Sequence, residues 1–136
     1  MSHHEKAALP GDANGRKLER LIEAMDRRDW DAAVADFADD FVQEWPQSGE
    51  RVRGRSACLN VIRNYPGGPP QITFGRISGE GDHWVLEGSA RYPDGSDYHT
   101  VAILEFRDGK LAREVDYFGP SFPAPEWRRE WVEISD

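Results

Sequence analysis

Apolar residues in the first part of the chain recur at the spacing of a helix. An amphipathic helix over residues 15–28 is predicted by four of them: Leu18, Leu21, Ile22 and Met25. Asp29 fits the N-cap of a short second helix that carries Phe37 and ends at Asp39-Asp40. A third helix is predicted over residues 55–65, before a run of prolines and glycines.

Elsewhere the apolar residues alternate with polar ones, which is typical of strands. Residues 41–45 predict a short strand, and residues 49–54 predict a turn-rich loop. Four further strands are predicted at residues 71–78, 82–92, 97–107 and 110–118. The short connections between these strands contain glycine, which indicates antiparallel hairpins. Residues 125–132 predict a short tail helix that carries Trp127 and Trp131 one turn apart.

Helices followed by a run of hairpin-connected strands predict an α+β fold. We expect a cone in which a curved antiparallel β-sheet wraps around three N-terminal helices and leaves an apolar interior suited to small ligands. The length of 136 residues suits one domain. Residues 1–13 are polar and predict a flexible N-terminal arm, so the single domain is predicted to comprise residues 14–136 with the short C-terminal helix.

Charge and cysteine content narrow the classes of function. The chain has 17 Lys and Arg against 25 Asp and Glu, a net charge of −8, which argues against nucleic acid and anionic membranes as partners. Its single cysteine, Cys58, excludes an internal disulfide and favours a reducing compartment. No apolar run is long enough to span a membrane, and no spacing of ligand residues resembles a metal site. We therefore expect a cytoplasmic protein that uses no metal and no cofactor.

Three stretches together resemble the NTF2-like superfamily in its SnoaL-like form, over residues 18–118. Residues 20–46 (RLIEAMDRRDWDAAVADFADDFVQEWP) are similar to the opening of ketosteroid isomerase, and Gly54-Arg55-Ser56-Ala57 is similar to the start of the family's third helix. Residues 109–118 (GKLAREVDYF) are similar to the closing strand of limonene epoxide hydrolase. The resemblance implies the NTF2-like cone, a fold that hosts isomerases, cyclases, hydrolases, dehydratases and non-catalytic binding proteins.

The resemblance also implies which positions face the interior. The base, the oxyanion tyrosine and the protonated aspartate of ketosteroid isomerase fall on Trp45, Leu21 and Ala102, so steroid isomerase chemistry is not expected here. The catalytic aspartate of limonene epoxide hydrolase falls on Asp116, and its water-positioning pair falls on Gln43 and Trp45.

The register of the strand at residues 82–92 stays open at this point. The hydrolase's arginine and second aspartate fall on Gly88 and Ala90. A slip of one residue would instead turn Glu87, Ser89 and Arg91 toward the interior, because side chains alternate between the two faces of a strand.

Because side chains alternate between the two faces of a strand, nine residues on three strands are expected to face the interior: Gln43 and Trp45; Tyr98, Thr100, Ala102 and Leu104; Glu114, Asp116 and Phe118. Asp116 is the main catalytic candidate, and Glu114 lies about 7 Å from it on the same face. Two like charges at this distance resist joint ionisation, so one carboxyl group is expected to hold a proton. The alternative is that both lie on the solvated face and pair with Arg113 or Arg107, since Leu111 and Val115 would then be buried.

These observations favour a small-molecule enzyme that performs acid/base chemistry without a cofactor: isomerisation, cyclisation, dehydration or hydration. Asp116 would move the proton while Glu114, Gln43 or Tyr98 orients water or substrate. The expected ligand is a small apolar or cyclic molecule, and five residues are predicted to complete its pocket: Leu21, Trp45, Thr100, Ala102 and Phe118. The alternative function is a non-catalytic ligand-binding or dimerisation module.

Two apolar features predict contacts outside the pocket. The apolar residues on the outer sheet face predict a homodimer through that face. The tail with Trp127 and Trp131 is expected to pack over its own barrel or over a sister subunit, with a lid across the cone mouth as the alternative.

Overall fold

A computed structural model describes residues 12–135, so the predicted N-terminal arm lies almost entirely outside the described residues. The elements follow in chain order: α1 (Ala13–Asp26), α2 (Trp30–Ala33), β1 (Phe37–Trp45), β2 (Glu50–Arg53), α3 (Gly54–Arg63), β3 (Gln71–Glu80), β4 (His83–Arg91), β5 (Asp97–Arg107), β6 (Lys110–Pro120) and a 3-10 helix (Glu126–Trp131). The predicted α+β fold is confirmed.

Helix α1 forms where the apolar spacing predicts it and is fastened at its start. The Asp12 carboxylate accepts hydrogen bonds from the backbone N–H groups of Asn14 and Gly15 at 3.0 and 3.2 Å, which satisfies two donors at the helix N-terminus. Its other oxygen accepts the N–H of Gly81 at 2.8 Å, in the turn between β3 and β4. Leu18 and Ile22 are fully buried, so the predicted apolar face packs into the core.

The boundary between the second helix and the first strand differs from the prediction. Asp29 does cap α2, since its carboxylate accepts the N–H of Ala32 at 3.2 Å. The helix ends at Ala33, however, and Phe37 and Asp39-Asp40 belong to β1. The expected helix end at Asp39-Asp40 is therefore wrong, because β1 pairs with β6 from Phe37 onward and this pairing extends the backbone.

The six strands form one mixed sheet in the order β2-β1-β6-β5-β4-β3. The predicted meander from β3 to β6 is confirmed as consecutive antiparallel pairs. The loop expected at residues 49–54 contains β2, which pairs antiparallel with β1. The sheet is not purely antiparallel, because β1 runs parallel to β6. This pairing sets the carboxylates of β6 beside Gln43 and Trp45 of β1.

A β-bulge in β6 decides which of its residues face inward. Leu104 lies opposite Glu114, but Phe106 lies opposite Leu111, so one extra residue is inserted in β6 between these pairs. Leu111 and Glu114 therefore face the same side despite their unlike parity, and Leu111 is 2% exposed. Strict alternation fails here, and the argument that Leu111 requires the acidic pair to face solvent is wrong.

The core fills the space between the concave sheet face and the helices. Its largest fully buried side chains are Trp84, Phe41, Leu18, Ile22, Leu104 and Leu111. The indole N–H of Trp84 donates to the carbonyl of Gly81 at 3.0 Å, so the one polar group of this side chain is satisfied.

The tail neither packs over its own barrel nor covers the cavity, while its packing over a sister subunit stays a prediction. Residues Glu126–Trp131 form a 3-10 helix, and Trp127 and Trp131 are 74% and 73% exposed. They do not pack over their own sheet, and neither lines the interior cavity. Between residues 12 and 135, no helix is both long and apolar enough to cross a membrane.

Candidate active site

A cavity of about 200 Å³ lies between the concave face of the sheet and the three helices. Most of its wall is apolar, with contributions from Leu21, Met25, Val61, Ile72, Phe74 and Leu86. Among residues 12–135, no Lys or Arg side chain lines it, although two carboxyl groups do. A small molecule in this space would meet apolar surface and a few well-defined polar groups, as is typical of ligand sites.

The polar groups of β1 converge on the two carboxyl groups of β6. The Gln43 amide nitrogen donates to Asp116 Oδ2 at 2.6 Å and approaches Glu114 Oε2 at 3.3 Å. The Trp45 indole nitrogen donates to the same Asp116 Oδ2 at 3.2 Å. The Glu114 side chain also forms a hydrogen bond with Asp116. The protein thus directs two N–H donors to one oxygen of Asp116, Oδ2.

The environment of Glu114 favours its protonated form. The side chain is half-buried and borders the cavity. Burial raises the pKa of Glu114 well above 4.5, and the charge of Asp116 raises it further. The hydrogen bond that the protonated group makes with Asp116 acts in the same direction, and the hydrogen bond from Gln43 opposes it. Glu114 therefore keeps its proton to higher pH than an exposed glutamate would.

Cys58 on α3 fixes the orientation of Gln43. Its Sγ donates to the Gln43 amide oxygen at 3.3 Å, so the amide nitrogen must point toward the carboxyl groups. Burial, followed by the charges of Glu114 and Asp116, raises the pKa of Cys58 to about 12. The side chain is thus a thiol, which can serve as the donor that this contact requires.

The alternative orientation of the acidic pair is excluded by the partners of the nearby arginines. Arg113 pairs with Glu44 at 2.7 Å and with Glu105 at 3.5 Å on the outer sheet face, and Arg107 pairs with Asp40. Glu114 and Asp116 both line the cavity instead.

Most of the predicted site residues are brought together. Eight of them line the cavity: Leu21, Gln43, Trp45, Thr100, Ala102, Glu114, Asp116 and Phe118. Tyr98 is the exception, because its ring packs against Tyr92 at 4.9 Å and Phe118 at 6.4 Å rather than lining the cavity itself. The three positions that correspond to the isomerase's catalytic groups are therefore wall positions here.

The register of β4 is now decided. Leu86 and Ala90 line the cavity, and Gly88 lies between them opposite Phe74. The slipped alternative is wrong, since Glu87, Ser89 and Arg91 are exposed. Arg91 lies outside, where its guanidinium pairs with Asp97 at 2.8 Å.

Sequence reasoning missed three residues of the site. From the sequence, Cys58 was considered only as the single cysteine, and Tyr92 was assigned no role in the site. Tyr65 was not singled out, and no local pattern marks it because it follows α3 in an irregular loop. All three line the cavity.

The outer sheet face carries two partly exposed apolar side chains. Val101 and Tyr117 lie opposite each other on adjacent strands and are 37% and 45% exposed. The homodimer through this face stays a prediction.

Within the described range of residues 12–135, no three His, Cys, Asp or Glu side chains are grouped as metal ligands would be.

Comparison with known proteins agrees with this architecture. An NTF-2-like protein of unknown function from Burkholderia xenovorans is 37% identical, with a TM-score of 0.79 over 91% of this chain and 96% of that chain. A proposed ketosteroid isomerase from Kribbella flavida is 26% identical, with a TM-score of 0.81 over 91% and 90% of the two chains. TerC co-crystallised with polyporic acid is 19% identical, with a TM-score of 0.68 over 79% and 92%, and shares the fold.

No protein with a curated description matches the chain. The sequence pattern that defines the SnoaL-like domain matches residues 18–114, which is most of the chain and includes β1, α3 and the start of the acidic pair. The resemblance found in the sequence is thereby confirmed. The chain belongs to the SnoaL-like domain family and has the NTF2-like fold.

Proposed function

We propose that the chain is an enzyme that performs acid/base chemistry on a small apolar or cyclic molecule, using its own side chains and no cofactor. The SnoaL-like family includes isomerases and polyketide cyclases. One observation carries the proposal: Glu114, whose pKa is raised well above its usual value, lies beside Asp116 in an apolar cavity. Carboxyl groups with unlike proton states can act as base and acid in one reaction. The reaction would take place in the cytoplasm, which the single cysteine favours.

Asp116 is the proposed base. Its Oδ2 is occupied by Gln43 and Trp45, so its Oδ1 is the atom that would take a proton from a C–H or O–H group of the substrate. The two N–H donors stabilise the carboxylate, and the apolar wall excludes competing water. Glu114 is the proposed acid, because its proton can return to the substrate at a second position. Gln43 touches both carboxyl groups and would hold their spacing during the transfer.

The alternative function is a non-catalytic ligand-binding module. Its support is that neither a carboxyl nor a phenol group stands at the three positions where the resemblance to ketosteroid isomerase implies catalytic groups: Leu21, Trp45 and Ala102. A cavity can bind an apolar molecule with the same wall whether or not Asp116 moves a proton.

The test separates binding from proton transfer. Hydrogen–deuterium exchange of cyclic ketones in heavy water, followed by NMR, measures proton abstraction next to a carbonyl. Thermal shift and calorimetry measure binding of the same ketones, together with epoxides and lactones. The variants are Asp116→Asn and Glu114→Gln, with Asp97→Asn on the outer surface as the matched control.

If the proposal is right, the wild-type protein and Asp97→Asn accelerate exchange, and Asp116→Asn loses this activity by about 100-fold or more while still binding the ketone. Binding by both proteins without exchange by the wild-type protein supports the alternative function. Equal exchange by the wild-type protein and Asp116→Asn rules out Asp116 as the base.

A further inference from the structure

Two tyrosine hydroxyls border the cavity without a protein acceptor outside their own pair. Tyr65 and Tyr92 both line the cavity and are half-buried. The hydroxyls interact with each other; burial, and then this interaction, raise the pKa of Tyr65 to about 12. Neither hydroxyl forms a hydrogen bond with any other group in residues 12–135. A hydrogen bond between the two hydroxyl groups uses only one of their two hydrogens. The other O–H group can therefore donate a hydrogen bond to a ligand.

The fold holds these rings in place by joining two loops. Tyr65 opens a turn that is closed by a hydrogen bond from Gly68 N–H to its carbonyl at 2.9 Å. Tyr92 closes the β4–β5 hairpin, with its N–H donating to Ser96 at 3.0 Å. The loops meet where Gly67 approaches Pro93 so closely that an added Cβ would lie 3.2 Å from the proline ring. The ring centres of Tyr65 and Tyr92 are consequently fixed 6.3 Å apart.

The tyrosine pair and the carboxyl pair are at different ends of the cavity. Asp116 lies opposite Ala102 in the sheet, whereas the ring of Tyr92 packs on Tyr98, four residues farther along β5. Four strand residues span about 14 Å, and the tyrosine side chains extend back over part of this distance toward Asp116. The wall between the two ends is apolar and suits the ring of a ligand. The charge of Asp116 is near enough to raise the pKa of Tyr65.

We infer that Tyr65 and Tyr92 form a second polar subsite, and that the substrate is a neutral cyclic molecule with an oxygen function at each end. One oxygen group meets Asp116 and Glu114, and the other accepts a hydrogen bond from the free tyrosine O–H. An O–H enclosed by apolar surface without an acceptor is unfavourable, and a ligand oxygen removes that cost. The absence of Lys and Arg from the lining disfavours a carboxylate at either end. The inference rests on the proposed function only in placing the substrate in this cavity.

The test is equilibrium binding of matched neutral probes by calorimetry. Phenol is compared with hydroquinone, and para-phenylphenol with biphenol, so that each pair differs by one hydroxyl at the far end. Para-hydroxybenzoate tests an anion at that end. The proteins are the wild type, Tyr65→Phe, Tyr92→Phe and, as the control, Ser78→Ala, which removes an exposed hydroxyl on β3 outside the cavity lining.

We expect the wild-type protein to bind at least one dihydroxy probe about tenfold more tightly than its monohydroxy partner, the value of one net hydrogen bond. Tyr65→Phe, Tyr92→Phe or both should abolish this preference without weakening the monohydroxy probes, and Ser78→Ala should retain it. The subsite is refuted if the wild type shows no preference or no binding, if both Phe variants keep the preference, or if para-hydroxybenzoate binds best. Because the readout is binding, a protein that fails to catalyse exchange can still pass this test.

Discussion

The proton on Glu114 makes the stability of the protein depend on pH in an unusual direction. The folded pKa of Glu114 lies above its usual 4.5, mainly because of burial, whereas the unfolded chain ionises near 4.5. Between these two values the folded state holds one proton more than the unfolded state. The contribution of Glu114 to the free energy of unfolding is therefore complete below pH 4.5 and is lost as pH rises toward the folded pKa.

The substitution Glu114→Gln isolates this contribution. Glutamine has the shape of the protonated acid, so it can still accept the Gln43 amide hydrogen and donate toward Asp116. It does not titrate. One proton corresponds to a slope of about 1.4 kcal/mol per pH unit, so above pH 4.5 the wild type should lose stability relative to the variant at up to this rate. The difference should level off once the folded carboxyl group ionises.

Urea unfolding of both proteins at a series of pH values measures this difference. Glu44→Gln is the matched control, because Glu44 lies on the adjacent strand and its pKa is lowered, first of all by the hydrogen bond from Arg113. Its effect has the opposite sign, since the stability that it contributes is lost as pH falls. Parallel stability curves for the wild type and Glu114→Gln would refute a protonated Glu114 and, with it, the division of roles in the proposed mechanism.

Three further predictions follow from particular contacts. Because the pKa of Cys58 is about 12, its alkylation by iodoacetamide at neutral pH should be far slower in the native protein than in urea, and equal rates would contradict the buried thiol. In Gly88→Ala the new Cβ would lie 2.5 Å from the carbonyl oxygen of Thr73, so unfolding should show a loss of about 1–3 kcal/mol, whereas Gly119→Ala, with open space around it, should change stability little. If the outer face is a dimer interface, the solution mass should be that of two chains and Tyr117→Glu should halve it; a monomeric wild type would refute the dimer.

Short-range sequence patterns predicted the elements that are held by short-range interactions. The apolar spacing of α1, the cap at Asp29 and the glycines between strands each act within a few residues, and each was predicted from the chain alone. The family resemblance added the inward orientation of Asp116, which alternation alone left open.

The site shows where such reasoning stops. The two carboxyl groups were identified as candidates, but the raised pKa of Glu114 comes first from its burial in the folded protein. The hydrogen-bond donors of Asp116, Gln43 and Trp45, lie on a strand about seventy residues earlier in the chain. Likewise, Tyr65 and Tyr92 are far apart in sequence and meet only because two irregular loops pack at Gly67 and Pro93.

The sequence by itself determined one SnoaL-like α+β domain, its helices and its antiparallel meander, because periodicity, capping and turn formation are short-range. Only the tertiary structure decided the length of β1, the position of Leu111 and the exposure of Trp127. Parallel pairing with β6 extends β1 backward, and a bulge turns Leu111 to the side of Glu114. Within residues 12–135, the indole rings of the tail remain exposed. These outcomes depend on contacts between distant segments, which no window along the chain contains.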